Sequence, residues 1–338
     1  MESTHINMLK KFKATIVIPT IREESIVKFF SLWKKEFKGH RIIVVEDNPN
    51  KSFPLPKWVE HYSWKDIDSE LGTKSWIIPR RSDCVRSYGY YKAWQKKCDF
   101  VVTMDDDCYP EASYTPSFLE SIWESLSVEY GDDRWWSTLK GDIIPRGYPY
   151  DIRNQKIKTV IHHGLWSNVP DFDALTQQKF PNYRTEPARK VEKVPYGKYF
   201  PMCGMNLAFR PEVIPALYFL LMGKMIHDEK LPYDRFGDIW AGIFIKKICD
   251  HLNFAITSGY PSVHHSRASS IEANLRKETP GYPVNEKLWR KVDKIILSKM
   301  TFGECYKEIA DNLEMNGEYW TQLKKAMNIW SSLFDNER

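Results

Sequence analysis

Short β-branched runs alternating with amphipathic stretches set the pattern of the first hundred residues. Lys13 to Pro19 (KATIVIP) and Arg41 to Val45 (RIIVV) are apolar runs of strand length, the first closed by proline and the second running into Glu46 and Asp47. Between them, Glu23 to Phe37 places Ile26, Val27, Phe29, Phe30, Trp33 and Phe37 at helical spacing with charges on the other side. Strand, helix, strand is the simplest reading. Ser75 to Pro79 is expected as a third strand, Ser82 to Lys97 as a helix, and Phe100 to Met104 (FVVTM) as a further buried strand that ends in three aspartates. Residues 111 to 200 are less periodic, whereas Leu231 to Cys249 and Phe254 to His265 return to helix then strand. From Asn285 onward, Leu288, Val292, Ile295 and Ile296, then Tyr306, Ile309 and Leu313, then Leu323, Met327 and Ile329 mark amphipathic helices broken at Asn316-Gly317. The pattern predicts an α/β protein: a Rossmann-like nucleotide-binding sheet within a catalytic unit over 1–280, and a C-terminal helical appendage over 281–338.

Composition narrows the function classes. With 338 residues, 42% of them apolar, the chain can bury a substantial core, and 13 Trp, 18 Tyr and 17 Phe suit a packed interior and sugar-stacking surfaces. The formal charge is +5 with Lys and Arg interspersed among Asp and Glu, so no nucleic acid partner is expected and a small acidic ligand fits better. Six cysteines, at 84, 98, 108, 203, 249 and 305, lack metal-ribbon or redox-pair spacing and suit reduced thiols in a cytoplasmic protein. Met1 to Lys13 has no apolar signal core, and the run Val213 to Met222 is short and contains Pro215, so neither export nor a membrane span is expected.

The chemistry concentrates where strands end. In open α/β sheets ligands gather at the carboxyl ends of strands, and Thr20 to Arg22, Glu46 to Asn48, and Asp105 to Asp107 all sit there. This makes Thr20, Arg22, Asp47 and Asp106 candidates for nucleotide binding, with Asp47 alternatively capping its loop. Three consecutive carboxylates repel one another, and a hard cation, Mn²⁺ or Mg²⁺, is the usual remedy. Asp105 and Asp107 can point the same way and are the candidate ligands; the alternative is a solvated turn or helix cap. His265, after the last apolar run, is a candidate nitrogen ligand. Asp83 and Arg86 share a helical face, Arg86 for phosphate and Asp83 for a base or ribose edge, or the two form an ordinary surface pair. Asp238, at a probable helix start, is a candidate general base or stabiliser of a developing positive sugar, or a capping residue.

Taken together, IVIPTIR (16–22), DDDC (105–108), RGYPYDIR (146–153), HGLWSNVPDFDA (163–174), FPMCGMNLAF (200–209), DIWAG (238–242) and HSRAS (265–269) resemble one family. They are similar to the reversibly glycosylated polypeptides, or UDP-arabinopyranose mutases, of glycosyltransferase family 75. The resemblance implies a GT-A glycosyltransferase fold, a UDP-sugar substrate and a divalent metal on the aspartate triplet. It also brings His163, which opens HGLWSNVPDFDA, into the nucleotide-binding set. Members interconvert pyranose and furanose forms of UDP-arabinose and are glycosylated on an arginine, with a second arginine seven residues later needed for activity; these match Arg146 and Arg153. Because guanidinium is a poor nucleophile, a carboxylate must assist, and Asp238 is the candidate base, with Arg153 expected to hold phosphate. The alternative is that both arginines only clamp phosphate.

Departures from the family pattern are Gly237 in FGDIWAG, where relatives carry a second aspartate, Arg267 in HHSRAS, and VEDNPN after the second strand. Three functions remain open: a self-glycosylating UDP-sugar mutase, a glycosyltransferase acting on an external carbohydrate, lipid or protein acceptor, and a non-catalytic sugar-nucleotide scaffold. The resemblance also implies association into a homo-oligomer, for which the helical tail offers a surface unless it packs on the core.

Overall fold

A computed structural model describes residues 12–112, 114, 117–141, 143–225, 229–266 and 270–335. Arg267 and the rest of HSRAS after Ser266 lie outside the described residues. The chain opens with β1 (Ala14–Thr20), α1 (Glu23–Trp33) and β2 (Arg41–Glu46), the βαβ unit expected from the pattern. Next come β3 (Val59–Tyr62), α2 (Trp64–Leu71), α3 (Arg86–Trp94) and β4 (Phe100–Met104). The third parallel strand is therefore Val59–Tyr62, and Ser75 to Pro79 is not a strand: Gly72–Ile77 forms a 3-10 helix, with the Ile78 amide donating to the Ser75 carbonyl at 3.1 Å. A short apolar run cannot by itself distinguish these two states. The strand that took its place buries only Val59 fully and so lacks the apolar signal.

The middle of the chain supplies β5 (Cys108–Pro110), α4 (Phe118–Ser127), β6 (Glu129–Gly131), β7 (Lys156–Asn168), α5 (Ala174–Lys179), β8 (Val191–Lys193) and β9 (Asn206–Phe209). The remainder is α6 (Gly237–His251), β10 (Ala255–His265), α7 (Ile271–Glu278), α8 (Tyr282–Asp293), α9 (Phe302–Asn312) and α10 (Glu318–Ser332). One ten-stranded sheet runs β3-β2-β1-β4-β9-β7-β10-β5, with β6 beside β7 and β8 beside β10. Strands β1 to β4 are parallel, β9 is antiparallel to both β4 and β7, and β10 runs parallel to β7. The carboxyl ends of β1, β4, β7 and β10 therefore share one edge with the start of β9.

Two-residue alternation divides the core between the sheet's faces. Ile16, Ile18, Ile42, Val44 and Val102 pack with Phe29, Trp33 and Phe118 of α1 and α4. Val17, Ile43, Val45 and Val101 belong to the other core, which also takes Tyr88, Trp240 and Phe244. The tail helices enter that same core through Leu288, Val292, Ile309, Leu323, Met327 and Trp330. Two buried side chains pin α10: the Trp330 indole donates to the Ile214 carbonyl at 3.0 Å, and the Tyr319 hydroxyl to the Leu221 carbonyl at 3.0 Å. Trp330 is fully buried and stacks on Tyr218 at 5.4 Å. Trp330→Ala is expected to cost about 3–5 kcal/mol in urea unfolding, and an unchanged midpoint would show that α10 adds nothing to the fold. Among the described residues no helix is long and apolar enough to cross a membrane.

Candidate functional site

The aspartate triplet leaves β4 at the shared edge, and its members alternate as expected. Asp106 turns inward, 3% exposed, and accepts from the Thr20 hydroxyl at 2.5 Å and from the Arg22 guanidinium. Burial pushes its carboxyl up to about 6 in spite of these partners. Thr20, Arg22 and Asp106 thus tie the end of β1 to that of β4. Asp105 and Asp107 face the cleft, Asp105 paired with Arg86 and Asp107 with Arg22 at 3.2 Å.

Arg86 is the anchor of the site. Fully buried at the start of α3, it donates to the Asp83 carbonyl (3.1 Å), the Thr103 hydroxyl (3.1 Å), the Gly204 carbonyl (2.6 Å) and the Asp105 carboxylate. Gly204 is needed for this seat, since a Cβ there would lie 2.8 Å from the Phe219 ring and 2.9 Å from an Arg86 nitrogen. The Asp83 carboxylate stands 3.7 Å from the same guanidinium. Burial together with the nearby Asp105 and Asp234 raises the Asp83 carboxyl.

Asp238 begins α6, where its carboxylate accepts from the Gly204 amide at 3.0 Å and the Ile239 amide at 2.9 Å. Burial, with Asp83 and Asp171 close by, pushes it up to about 7. Asp171, between β7 and α5, and Arg235, just before α6, were not among the residues singled out from the sequence, and both belong to this cleft. Burial raises the Asp171 carboxyl, with Arg235 and His265 attracting it and Asp105 repelling it, and Arg235 is held at 2.9 Å by Glu278. Gly237 has a packing reason: a Cβ there would meet the Cys84 sulfur at 2.3 Å, so no side chain has room at this position.

A carboxyl raised by folding favours the protonated native state. The stability Asp238 contributes is therefore complete below about pH 4, its ordinary range, and is lost as pH climbs through about 7. Asp238→Asn is expected to flatten this decline, so that urea midpoints of wild type and variant diverge between pH 5 and 8. Parallel midpoint curves over that window would mean that the carboxyl ionises normally.

His265 lies beside Asp107, which it attracts electrostatically. Its Nδ1 bonds to the Val169 carbonyl at 2.8 Å. With Nδ1 donating to that carbonyl, Nε2 is the nitrogen placed to serve a metal when the ring is neutral. Two carboxylates that repel each other and one such imidazole are the right donors in kind for Mn²⁺ or Mg²⁺. As the side chains stand, no group of three His, Cys, Asp or Glu among the described residues is gathered to hold a metal, because Arg86 and Arg22 take Asp105 and Asp107.

Other sequence candidates are placed elsewhere. Asp47 is spent on the protein, accepting from the Trp64 indole (2.7 Å) and from the Arg81 and Ser82 amides (3.0 and 2.9 Å), so it shapes the loop before α3. His163 is buried, with Nδ1 bonded to Ser258 and Nε2 accepting from the Cys203 amide at 3.2 Å; burial lowers its pKa to about 4, so it supports the cleft floor as a neutral ring. Arg146 and Arg153 are not brought to the cleft. Their loop leaves β6 and enters β7 where Gly131 pairs with Lys156, whereas Gly164 is the β7 residue level with the end of β4. About 25 Å of strand separates the two levels. The loop closes on itself there: the Tyr148 hydroxyl bonds to the Asp132 and Trp135 carbonyls at 3.4 Å, and Arg153 donates to the Tyr148 carbonyl and stacks on Tyr150 at 3.7 Å. Arg146 is exposed.

A mixed sheet with parallel strands at its head, and a β4 that delivers carboxylates to an open edge, define a GT-A-like α/β protein. Residues 9–338 match the model of the family described as reversibly glycosylated polypeptide, and the chain belongs to that family. It is 34% identical over 345 residues to probable UDP-arabinopyranose mutase 1 of Pisum sativum, covering 97% of this chain and 92% of the relative. UDP-arabinopyranose mutase 1 of Arabidopsis thaliana is 34% identical over 349 residues (98% and 94%), and that of Oryza sativa subsp. japonica 34% over 345 residues (97% and 92%).

Proposed function

We propose that the protein is a UDP-sugar mutase, interconverting pyranose and furanose forms of a UDP-bound sugar. Its near full-length similarity to proteins named UDP-arabinopyranose mutase carries the reading, and the carboxylate-lined cleft agrees with it. A divalent cation on Asp105, Asp107 and His265 would neutralise the diphosphate as the anomeric bond breaks. Arg22, partly exposed, then holds phosphate charge beside that position while the buried Arg86 fixes Asp105 behind it, and Asp238 faces the positive charge that develops on the sugar. Incubation with UDP-arabinopyranose and Mn²⁺ is expected to give a separable furanose form, and no such product from either this or UDP-galactose would overturn the reading.

On this reading Arg146 also serves as a glycosyl acceptor. A guanidinium nitrogen displaces UDP at the anomeric carbon, UDP leaves with the electron pair of the C–O bond, and the proton passes to Asp238. The remoteness of the Arg146 loop favours delivery to the cleft of a second copy. Mixing Asp107→Asn with Arg146→Lys, each inactive alone, is then expected to restore labelling on the Asp107→Asn chain; label on neither chain counts against it. The same remoteness favours a second reading, transfer to an external carbohydrate acceptor, which would appear as labelled saccharide with no labelled protein.

A further inference from the structure

Beside the metal position lies a cavity that the mechanism above does not use. Asn168, Phe172, Gln177, Pro181, Arg184 and Ser266 line a space of about 360 Å³. That is small for a ligand pocket, which typically spans roughly 300–1,000 Å³, and suits a monosaccharide better than a whole nucleotide sugar. Its floor is continuous with the candidate metal ligands: the Ser266 amide donates to the Asp107 carbonyl at 3.0 Å, and the Asn168 carboxamide to the His265 carbonyl at 3.0 Å.

Gln177 is the telling residue. It is 5% exposed and lines the cavity, yet among the described residues its carboxamide has no hydrogen-bond partner. The amide opens onto this space, so its donor and its acceptor both stand available to an occupant of the cavity. Around it the wall offers both kinds of hydrogen-bonding group. Asn168 has its amide nitrogen engaged and its side-chain oxygen without a partner among the described residues, and Ser266 carries a hydroxyl. Arg184 uses one terminal nitrogen on the Pro181 and Tyr183 carbonyls, at 3.2 and 2.8 Å, leaving its other N–H groups without an acceptor among the described residues. Phe172, packed near Tyr183 at 6.3 Å, adds an aromatic face.

This mixture selects among ligand chemistries. An apolar ligand would leave Gln177 unsatisfied, and a phosphate would meet one cation, Arg184, among the described lining residues. A ring carrying several hydroxyls takes a donor or an acceptor at each, and its C–H face suits Phe172.

We propose that this cavity is a monosaccharide subsite, in which Gln177 and Arg184 read the sugar's hydroxyls next to the diphosphate position. The proposal rests on the UDP-sugar reading for its donor arm alone. The sugar arrives either as the glycosyl group of the nucleotide or as a free acceptor.

Calorimetric titration of wild type, Gln177→Leu and Arg184→Ala with UDP, UDP-arabinopyranose and methyl arabinopyranoside tests it. If the sugar arrives on the donor, both variants bind UDP as wild type does but lose about tenfold in affinity for UDP-arabinopyranose. If it is a free acceptor, the loss falls on methyl arabinopyranoside instead, and either loss supports the subsite. Unchanged affinity for both sugar ligands in both variants overturns the proposal. A wild type that binds methyl arabinopyranoside through Gln177 but binds no UDP would leave the subsite standing and bring down the mutase reading.

Discussion

Arg86→Met is expected to destabilise the fold by about 3–5 kcal/mol and to abolish UDP binding. Methionine fills much of the arginine's volume, so the loss reports on charge and hydrogen bonding more than on a cavity. What it strands is a set of groups arranged around a single guanidinium: the Gly204 and Asp83 carbonyls, the Thr103 hydroxyl and the Asp105 carboxylate. Arg86→Lys keeps the charge but replaces a planar fork by a point donor, so it should recover part of the stability and little of the binding. Urea unfolding and UDP titration on the two variants check this. Equal stability of Arg86→Met and wild type would mean that the guanidinium is dispensable to the fold.

Asp107→Asn should move activity and stability in opposite directions. Sugar interconversion is expected to fall by about 10³-fold, as chelation with EDTA should also bring about, with recovery on adding Mn²⁺ in the wild type alone. Meanwhile the variant loses the repulsion between Asp107 and Asp105 and the cost of a buried charge, while Arg22 keeps its pairing with Asp106. Its melting temperature without metal should therefore rise. A carboxylate retained only as a turn or cap would behave the other way, with stability lost and the rate preserved.

Much of this was readable from the residues. Ile16 to Ile18, Ile42 to Val45 and Val101 to Met104 alternate between two buried faces, which leaves an uninterrupted apolar signal. β7 escaped notice, although it is the longest strand, because its centre carries His162, His163 and Gly164. Thr257 answers Nδ1 of His162, whose Nε2 is buried without a partner, and Ser258 and the Cys203 amide answer both nitrogens of His163; such partners come from distant sequence. Asp105 to Asp107 and Asp238 could be placed because they end or begin an element. Asp171 and Arg235 sit in loops, Arg235 in a left-handed conformation at φ 66°, and only tertiary folding brings them to the cleft. Asp47 shows how one position admits two roles: a strand end suits a nucleotide contact or a loop cap, and here its oxygens answer Trp64 and two backbone amides.

The shared core of β1 and the tail helices bears on how the chain is made. Val17 lies in the same buried cluster as Trp330 and Phe334, so the sheet's first strand and α10, far apart in sequence, close one core. A nascent chain lacking α10 exposes the face formed by Tyr218, Ile214 and Leu221, and long-range closure of this kind is slow and prone to aggregation. Docking of α10, rather than emergence of the nucleotide-binding half, is then the step that closes this core, and chains cut before Glu318 are expected to aggregate.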